Sequence, residues 1–134
     1  MSTATTSLSM ETVSQFNLQK EIDLAEARRP WPSGIFSKTL IKNDDMRIVL
    51  TLMDADAIIK EHHADGSVAL QVLLGKLRVT SHRTGYRLPA RSLLTLPPSV
   101  PHQVQAIEPS AFLLTISWPE SKTLRALPHR GYGS

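Results

Sequence analysis

Short apolar runs with a two-residue alternation, separated by turn-forming residues, fill the chain from residue 34 to residue 118. In the run 46–53, Met46 and Leu50 fall on one face of an extended chain and Val49 falls on the other. The turn-forming segments include Asn-Asp-Asp at 43–45, Gly75 and Arg-Thr-Gly at 83–85. We predict strands at 35–41, 46–53, 57–62, 68–74, 76–81, 92–96, 103–107 and 111–118. Many short strands joined by turns are typical of an all-β sandwich or barrel, and not of alternating βαβ units.

The first 33 residues have a different pattern. Residues 1 to about 12 are small and polar, which predicts a mobile arm. Apolar residues in 13–27 have a roughly helical spacing, and the prolines of 28–34 must end that helix. We therefore divide the chain into an arm with a short helix (1–33), a barrel (34–118) and a C-terminal tail without clear periodicity (119–134).

Composition limits the function classes. A length of 134 residues fits a single domain, and the lack of cysteine excludes disulfides and thiolate metal ligands. The formal charge of +3 comes from scattered residues without a run of like charges, so we expect no nucleic-acid partner. No apolar stretch approaches the roughly 20 residues of a membrane span, and the start does not resemble a secretory signal. We expect a cytoplasmic protein that does not enter a membrane.

Three histidines near predicted strand ends carry the candidate chemistry. His62 ends the run 57–62, His63 follows directly, and His102 ends the segment PPSVPH at 97–102. Because adjacent residues of a strand point to opposite faces, only one of His62 and His63 faces inward unless the strand bulges there. The sequence leaves open which one it is. Each histidine also fits a plainer role, either as a polar residue lining the barrel mouth or as a surface residue.

The segments that carry these histidines resemble the two sequence motifs of the cupin superfamily, whose fold is a double-sheet jelly roll. In the first motif, Gly75 matches the closing glycine and Val68 stands where the family has a glutamate. The two-histidine element of that motif falls on one of two residue pairs, Glu61 with His63 or His62 with Ala64. In the second motif, Pro98 and His102 match, while Val100 and Ala106 replace a glycine and an asparagine.

The resemblance implies a jelly roll over about 34–118 and a degenerate metal site. A cupin metal site usually uses three imidazoles and a carboxylate, and Val68 removes the carboxylate. What remains is His62 or His63, or both, with His102 and the uncertain Glu61. These residues could hold Zn, Ni, Fe or Mn weakly, since imidazole and carboxylate ligands suit such metals.

Three functions follow as alternatives. The first is a module that binds a small molecule in a pocket of His62, His63, Val68, Leu70, Val72 and His102. The second is a metal-dependent dioxygenase, isomerase or lyase that uses His62 or His63 with His102. The third is an interaction domain related to the sensory barrels of transcription regulators. We also expect a homodimer, because Val49, Ala69 and Leu73 are predicted to point outward and Trp31 could reach a partner.

Overall fold

The computed structural model of the protein describes residues 12–119; the predicted arm at 1–11 and the tail beyond Pro119 lie outside the described residues. The described elements are α1 (Leu18–Glu26), a short 3-10 helix (Pro32–Gly34), β1 (Ile35–Lys42), β2 (Met46–Met53), β3 (Ile58–His62), β4 (Ser67–Ser81), β5 (Thr84–Pro89), β6 (Leu93–Leu96) and β7 (His102–Ser117). The predicted all-β class with one short N-terminal helix is confirmed. No helix within residues 12–119 is long and apolar enough to cross a membrane.

Two antiparallel sheets share the long strands β4 and β7. The first sheet has the order β1, β2, β7, β4, β6 and uses the second half of β7 with the first half of β4. The second sheet has the order β3, β7, β4, β5 and uses the other two halves. The sheets therefore pack face to face as a jelly roll, as the sequence predicted.

The main core lies between the two sheets. Val68, Leu70 and Val72 of β4 point into it because alternate residues of a strand share a face, and each of them is buried. Phe112 and Leu114 of β7 meet them from the neighbouring strand. Leu, Val and Ile fill most of the rest, in keeping with the low aromatic content.

Gly75 does not end a strand, which corrects the prediction of a tight turn there. β4 continues through Gly75, whose φ of +82° bends the strand, and the β4–β7 register shifts on both sides of it. A Cβ at this position would lie 2.2 Å from the carbonyl oxygen of Pro109 and 2.4 Å from Ser110 Oγ. Ser110 Oγ accepts a hydrogen bond from the amide of Lys76 (3.0 Å). This hydrogen bond joins the bend of β4 to β7. The predicted strands 103–107 and 111–118 are parts of one strand, β7.

The strand β5 was missed, and the turn predicted at 83–85 is displaced. Ser81 pairs with Thr84, so the turn consists of His82 and Arg83, with φ values of 49° and 69°. Residues other than glycine seldom adopt such angles, which is why the sequence signal pointed to the glycine-containing triplet instead.

The helix α1 covers part of the outer face of the first sheet. It begins at Leu18, later than predicted, because the Asn17 side chain caps it by accepting a hydrogen bond from the Lys20 amide (3.0 Å). The contacts under it form a second core made of Ile22, Ala25, Trp31, Leu50, Leu52 and Ala111. Trp31, which the sequence predicted could reach a partner, donates a hydrogen bond to the carbonyl of Ala25 (2.9 Å) and is buried in its own chain.

Two of the three residues predicted to point outward are covered. Val49 is buried in the core between the sheets, on the opposite face of β2 from Leu50. Leu73 packs against the second core under α1. Both faces of β2 are buried here, so alternation alone could not show which face was the interior. Only Ala69 remains on the outer face of the first sheet, away from α1.

Replacing Gly75 by alanine tests the shared bend. We expect Gly75→Ala to lower the free energy of unfolding by about 3 kcal/mol or more, because both the positive φ and the nearby backbone oppose a Cβ. Gly85→Ala is the matched control, since its Cβ would meet only the far end of the Arg78 side chain (3.1 Å). Urea unfolding should separate the two variants; equal losses would contradict the assigned role of Gly75.

Candidate functional site

A bulge in β3 decides which of the two adjacent histidines faces the interior. Ile58 pairs with Gln105 and Ile59 with Val104, but the register then shifts and His62 pairs with His102. His62 is half-buried and His63 is exposed. The sequence left open which of His62 and His63 faces inward. The strand pairing selects His62, which is the cross-strand partner of His102.

The surrounding positions favour one of the two motif placements. Ala64 is buried in the core between the sheets, so His62 and Ala64 occupy the inward positions of the two-histidine element. Glu61, the uncertain carboxylate, is exposed. His82 lies exposed in the β4–β5 turn, as expected for a surface residue, and His129 lies outside the described residues.

The rings of His62 and His102 are in contact, with centroids 4.5 Å apart and planes inclined by 56°. His62 Nδ1 lies 2.8 Å from the carbonyl oxygen of Lys60, and His102 Nδ1 lies 3.1 Å from that of Val100. A carbonyl oxygen can only accept, so we infer that each Nδ1 carries the proton. In the neutral rings Nε2 is then the lone-pair nitrogen, able to accept a hydrogen bond or to ligate a cation.

His102 is held in place and almost fully buried. Ser81 Oγ donates a hydrogen bond to the carbonyl of Pro101 (2.7 Å), which fixes the chain just before His102. The His102 side chain is 1% exposed, and its Nε2 has no hydrogen-bond partner among the described residues. Leaving a buried polar atom without a partner costs about 1–3 kcal/mol, so this nitrogen is the feature of the site that most needs a ligand to explain it.

Burial keeps the His102 imidazole uncharged at neutral pH. Burial lowers the pKa of His102 below its usual value, and positive charge on His62 or His63 would lower it further; the hydrogen bond to Val100 opposes these effects in part. The Val104 side chain, two residues along the same inward face, is buried and apolar. His102 is therefore a neutral hydrogen-bond acceptor with an apolar neighbour.

The other predicted pocket residues lie in the core. Val68, Leu70 and Val72 pack between the sheets, with Val68 in the position that the family's glutamate would occupy. Within residues 12–119, no group of three or more histidine, cysteine, aspartate or glutamate side chains is placed to hold a metal ion. Of the three candidate imidazoles, the strand pairing joins His62 and His102, while His63 is on the exposed side.

Sequence reasoning missed a groove on the outer face of the first sheet. It has a volume of about 340 Å³ and is lined by Ser67, Val68, Ala69, Thr95, Leu96, Pro97, Thr115 and Ser117. The available signal was the run of small residues at alternate positions of the outward face, such as Ser67 with Ala69 and Thr115 with Ser117. This groove contains no histidine and belongs to a different face of the molecule from the His62–His102 pair.

Comparison with solved structures shows the class of the fold. A cupin superfamily protein from Desulfitobacterium hafniense DCB-2 matches with a TM-score of 0.64 and 18% identity, over 72% of this chain and 88% of that one. A conserved protein of unknown function from Streptococcus pyogenes has a TM-score of 0.61 and 27% identity, over 64% and 75%. The cupin domain of an XRE family transcriptional regulator from Enterobacter cloacae has a TM-score of 0.58 and 17% identity, over 65% and 99%.

The chain therefore has the cupin jelly-roll fold. The predicted resemblance is confirmed at this level. No protein-family model and no curated protein matches the chain. The similar structures come from proteins of unknown or varied function, so they establish the fold and leave the function to the site.

The pKa of His102 makes stability depend on pH in a definite direction. Unfolded histidine titrates near pH 6.5, and the folded state takes up this proton only at lower pH. Between the two pKa values the unfolded chain binds more protons. The contribution of His102 is therefore fully present above about pH 6.5 and is lost as the pH falls, by at most about 1.4 kcal/mol per pH unit.

Urea unfolding at about pH 7.5 and about pH 5 should show this loss in the wild-type chain. In His102→Gln, which cannot titrate, the difference between the two pH values should shrink. His63→Ala, which removes the exposed neighbour, should keep most of it. An unchanged pH dependence in His102→Gln would show that His102 is protonated as easily in the folded state as in the unfolded chain.

Proposed function

We propose that this cupin-type domain binds a small molecule at the His62–His102 pair on the barrel edge. The observation that carries the proposal is the buried Nε2 of His102, a lone-pair nitrogen without a hydrogen-bond partner in the described residues. A ligand that donates a hydrogen bond to it would remove the cost of leaving that atom unsatisfied. His62 is half-buried, and its ring contacts that of His102.

The surroundings indicate the chemistry of the ligand. A neutral imidazole next to Val104 suits an uncharged O–H or N–H donor with an apolar portion, such as an alcohol or an amide. An anionic ligand would meet the lone pair of His102 Nε2 and would gain no hydrogen bond from that atom. We therefore favour a neutral donor over a carboxylate or phosphate at neutral pH.

A divalent metal bound by the same pair is the second candidate, supported by the inferred tautomers. With its proton on Nδ1, His102 would offer Nε2 as a ligand without loss of a proton, and imidazole suits Zn, Ni and Fe. Bound there, a metal would supply Lewis-acid chemistry of the kind used by a cupin dioxygenase, isomerase or lyase. Two protein ligands are fewer than the three of most catalytic zinc sites, so we expect weak binding completed by water.

Histidine-labelled NMR of the full chain tests both candidates. We expect His102 to show a protonated Nδ1 and an unprotonated Nε2, and its Nε2 signal to respond first as small alcohols and amides are titrated in. The same titrations with Zn²⁺ and Ni²⁺ address the metal candidate. His102→Ala should abolish any response, whereas His63→Ala, one position from His62 but exposed, should preserve it.

The results separate the candidates. Saturable perturbation by alcohols or amides without any by metal ions supports the first, and saturable metal binding that requires both His62 and His102 supports the second. If none of these probes perturbs His102, or if His63→Ala abolishes the response as fully as His102→Ala, the proposed site is wrong. The cytoplasmic location and the lack of a nucleic-acid partner stay predictions from the sequence.

A further inference from the structure

The charged residues are distributed unevenly along the chain. Between Gly66 and Ile107 the sequence contains no aspartate and no glutamate. The same segment carries a set of basic residues that lie in or beside the hairpin of β4 and β5, namely Lys76, Arg78, Arg83, Arg87 and Arg91. We call residues 76–91 the basic hairpin. Its positive charge is not offset by any acidic residue of its own.

Glu108 is the acidic residue that lies beside the basic hairpin, and it is the register partner of Lys76. Arg78 of β4 and Arg87 of β5 are direct cross-strand partners, and both are exposed. No ion pair formed within residues 12–119 involves either arginine. Like charges placed opposite each other on a sheet are unfavourable, so this pair favours a negatively charged partner.

The side chain of Arg78 reaches over β5. A Cβ at Gly85 would be 3.1 Å from Arg78 Nη1, so the guanidinium group lies above Gly85 on the outward face of the sheet. Gly85 and Arg87 are two residues apart in β5 and therefore share that face. The two arginines thus place their positive charge on one side of β5.

The strand β5 is an edge strand with backbone groups that the fold does not use. Within residues 12–119 it pairs with β4 alone. Across the two-residue turn, Ser81 and Thr84 form a hydrogen-bonded pair, so the backbone groups of Thr84 and Tyr86 point to β4. Those of Gly85 and Arg87, at the alternate positions, point away from the sheet and can pair with another strand.

Two further residues define the edge. Pro89 has no amide hydrogen, and its carbonyl accepts a hydrogen bond from the Ser92 amide (3.1 Å), so the available edge ends before it. Tyr86 is 41% exposed and lies on the opposite face of β5 from Arg87. A strand added here would meet positive charge on one face and an aromatic ring on the other.

We propose that the β5 edge binds an extended acidic segment of a partner protein as an added strand. In this mode of recognition, backbone hydrogen bonds supply affinity and alternate side chains supply specificity. Carboxylates at every second position would form charge-assisted hydrogen bonds with Arg78 and Arg87. The apolar side chains between them would pack against Tyr86. The partner is therefore a segment in which acidic and apolar residues alternate.

The strand edge distinguishes this partner from other polyanions. A single-stranded nucleic acid would use the two arginines but not the backbone groups of Gly85 and Arg87. Its bases would also need an aromatic ring on the charged face, and Tyr86 lies on the other one. The edge is separate from the His62–His102 pair, because β4 lies between β5 and β7. The proposal therefore does not depend on what binds at His102.

Fluorescence polarisation on the full chain tests the interaction. The probe is a labelled synthetic peptide of about seven residues, a usual strand length, in which glutamate and valine alternate. A peptide of the same composition with its glutamates grouped together is the control. We expect saturable binding of the alternating peptide, and binding of the grouped peptide weaker by at least about tenfold, since it cannot keep its charges on one face.

A charge reversal locates the binding surface. Arg87→Glu should weaken binding of the alternating peptide by at least about tenfold, because the edge then repels the probe. The new glutamate lies opposite Arg78, an arrangement that favours the fold, and circular dichroism checks that the variant is folded. Arg28→Glu is the matched control, because Arg28 is an exposed arginine outside the basic hairpin and its replacement changes the charge equally.

Two measurements test strand addition itself. Hydrogen exchange followed by NMR should show that saturating peptide slows exchange at the amides of Gly85 and Arg87 more than at those of Thr84 and Tyr86, which already face β4. Two peptides with N-methyl groups on alternate residues, in opposite phases, should differ. Only one phase should lose binding, since every second amide of an added strand faces β5.

Several results would overturn the proposal. One is the absence of saturable binding to the wild-type chain, and another is equal weakening by Arg28→Glu and Arg87→Glu. Equal binding of both N-methylated peptides and the unmodified one would show attraction by charge without strand addition. Tighter binding of an oligothymidylate than of the alternating peptide, lost in Arg87→Glu, would identify the surface as one for nucleic acid.

Discussion

The fold depends on one close contact between neighbouring strands, the approach of β7 to the β4 backbone at Gly75. Only a residue without a Cβ allows the carbonyl of Pro109 and the hydroxyl of Ser110 to approach the β4 backbone there. Both strands pass from one sheet to the other at this contact. The contact therefore sets how the two halves of β4 pair with the two halves of β7. The position of the two bends sets which residues of β7 pair with β2 and which pair with β4. It thereby also sets the position of His102 in the second sheet.

Sequence alternation predicted the all-β class because strand faces leave a two-residue period wherever one side is buried. It could not distinguish a bend within a strand from a turn between strands, since glycine serves both, and so it divided β4 at Gly75. It also missed β5, whose turn uses His82 and Arg83 at positive φ in place of glycine. Val49 was wrongly predicted to point outward because α1 buries the second face of β2. No polar face of this strand then remains to identify the exterior.

The candidate site was predictable in its residues but not in its geometry. The sequence alone indicated His62, His63 and His102 as candidate site residues, because the chain has no cysteine and these histidines lie near strand ends. His102 is buried, as expected for a residue that points into the barrel. The choice between His62 and His63 required the bulge in β3, which depends on tertiary pairing with β7. The inferred tautomers depend on hydrogen bonds to the backbone carbonyl groups of Lys60 and Val100. Every residue has such a carbonyl group, so the sequence could not predict these contacts.

Val68, which stands where the cupin motif has a glutamate, and the buried state of His102 point in the same direction. With Val68 in the carboxylate position, the core offers no negative side chain there to offset a divalent cation. The lowered pKa of His102 shows that its surroundings disfavour even the single positive charge of an imidazolium. A buried ion typically costs several kcal/mol unless it is well paired, whereas an uncharged donor needs only the lone pair of Nε2. The charge balance around His102 therefore favours a neutral ligand over a tightly held metal.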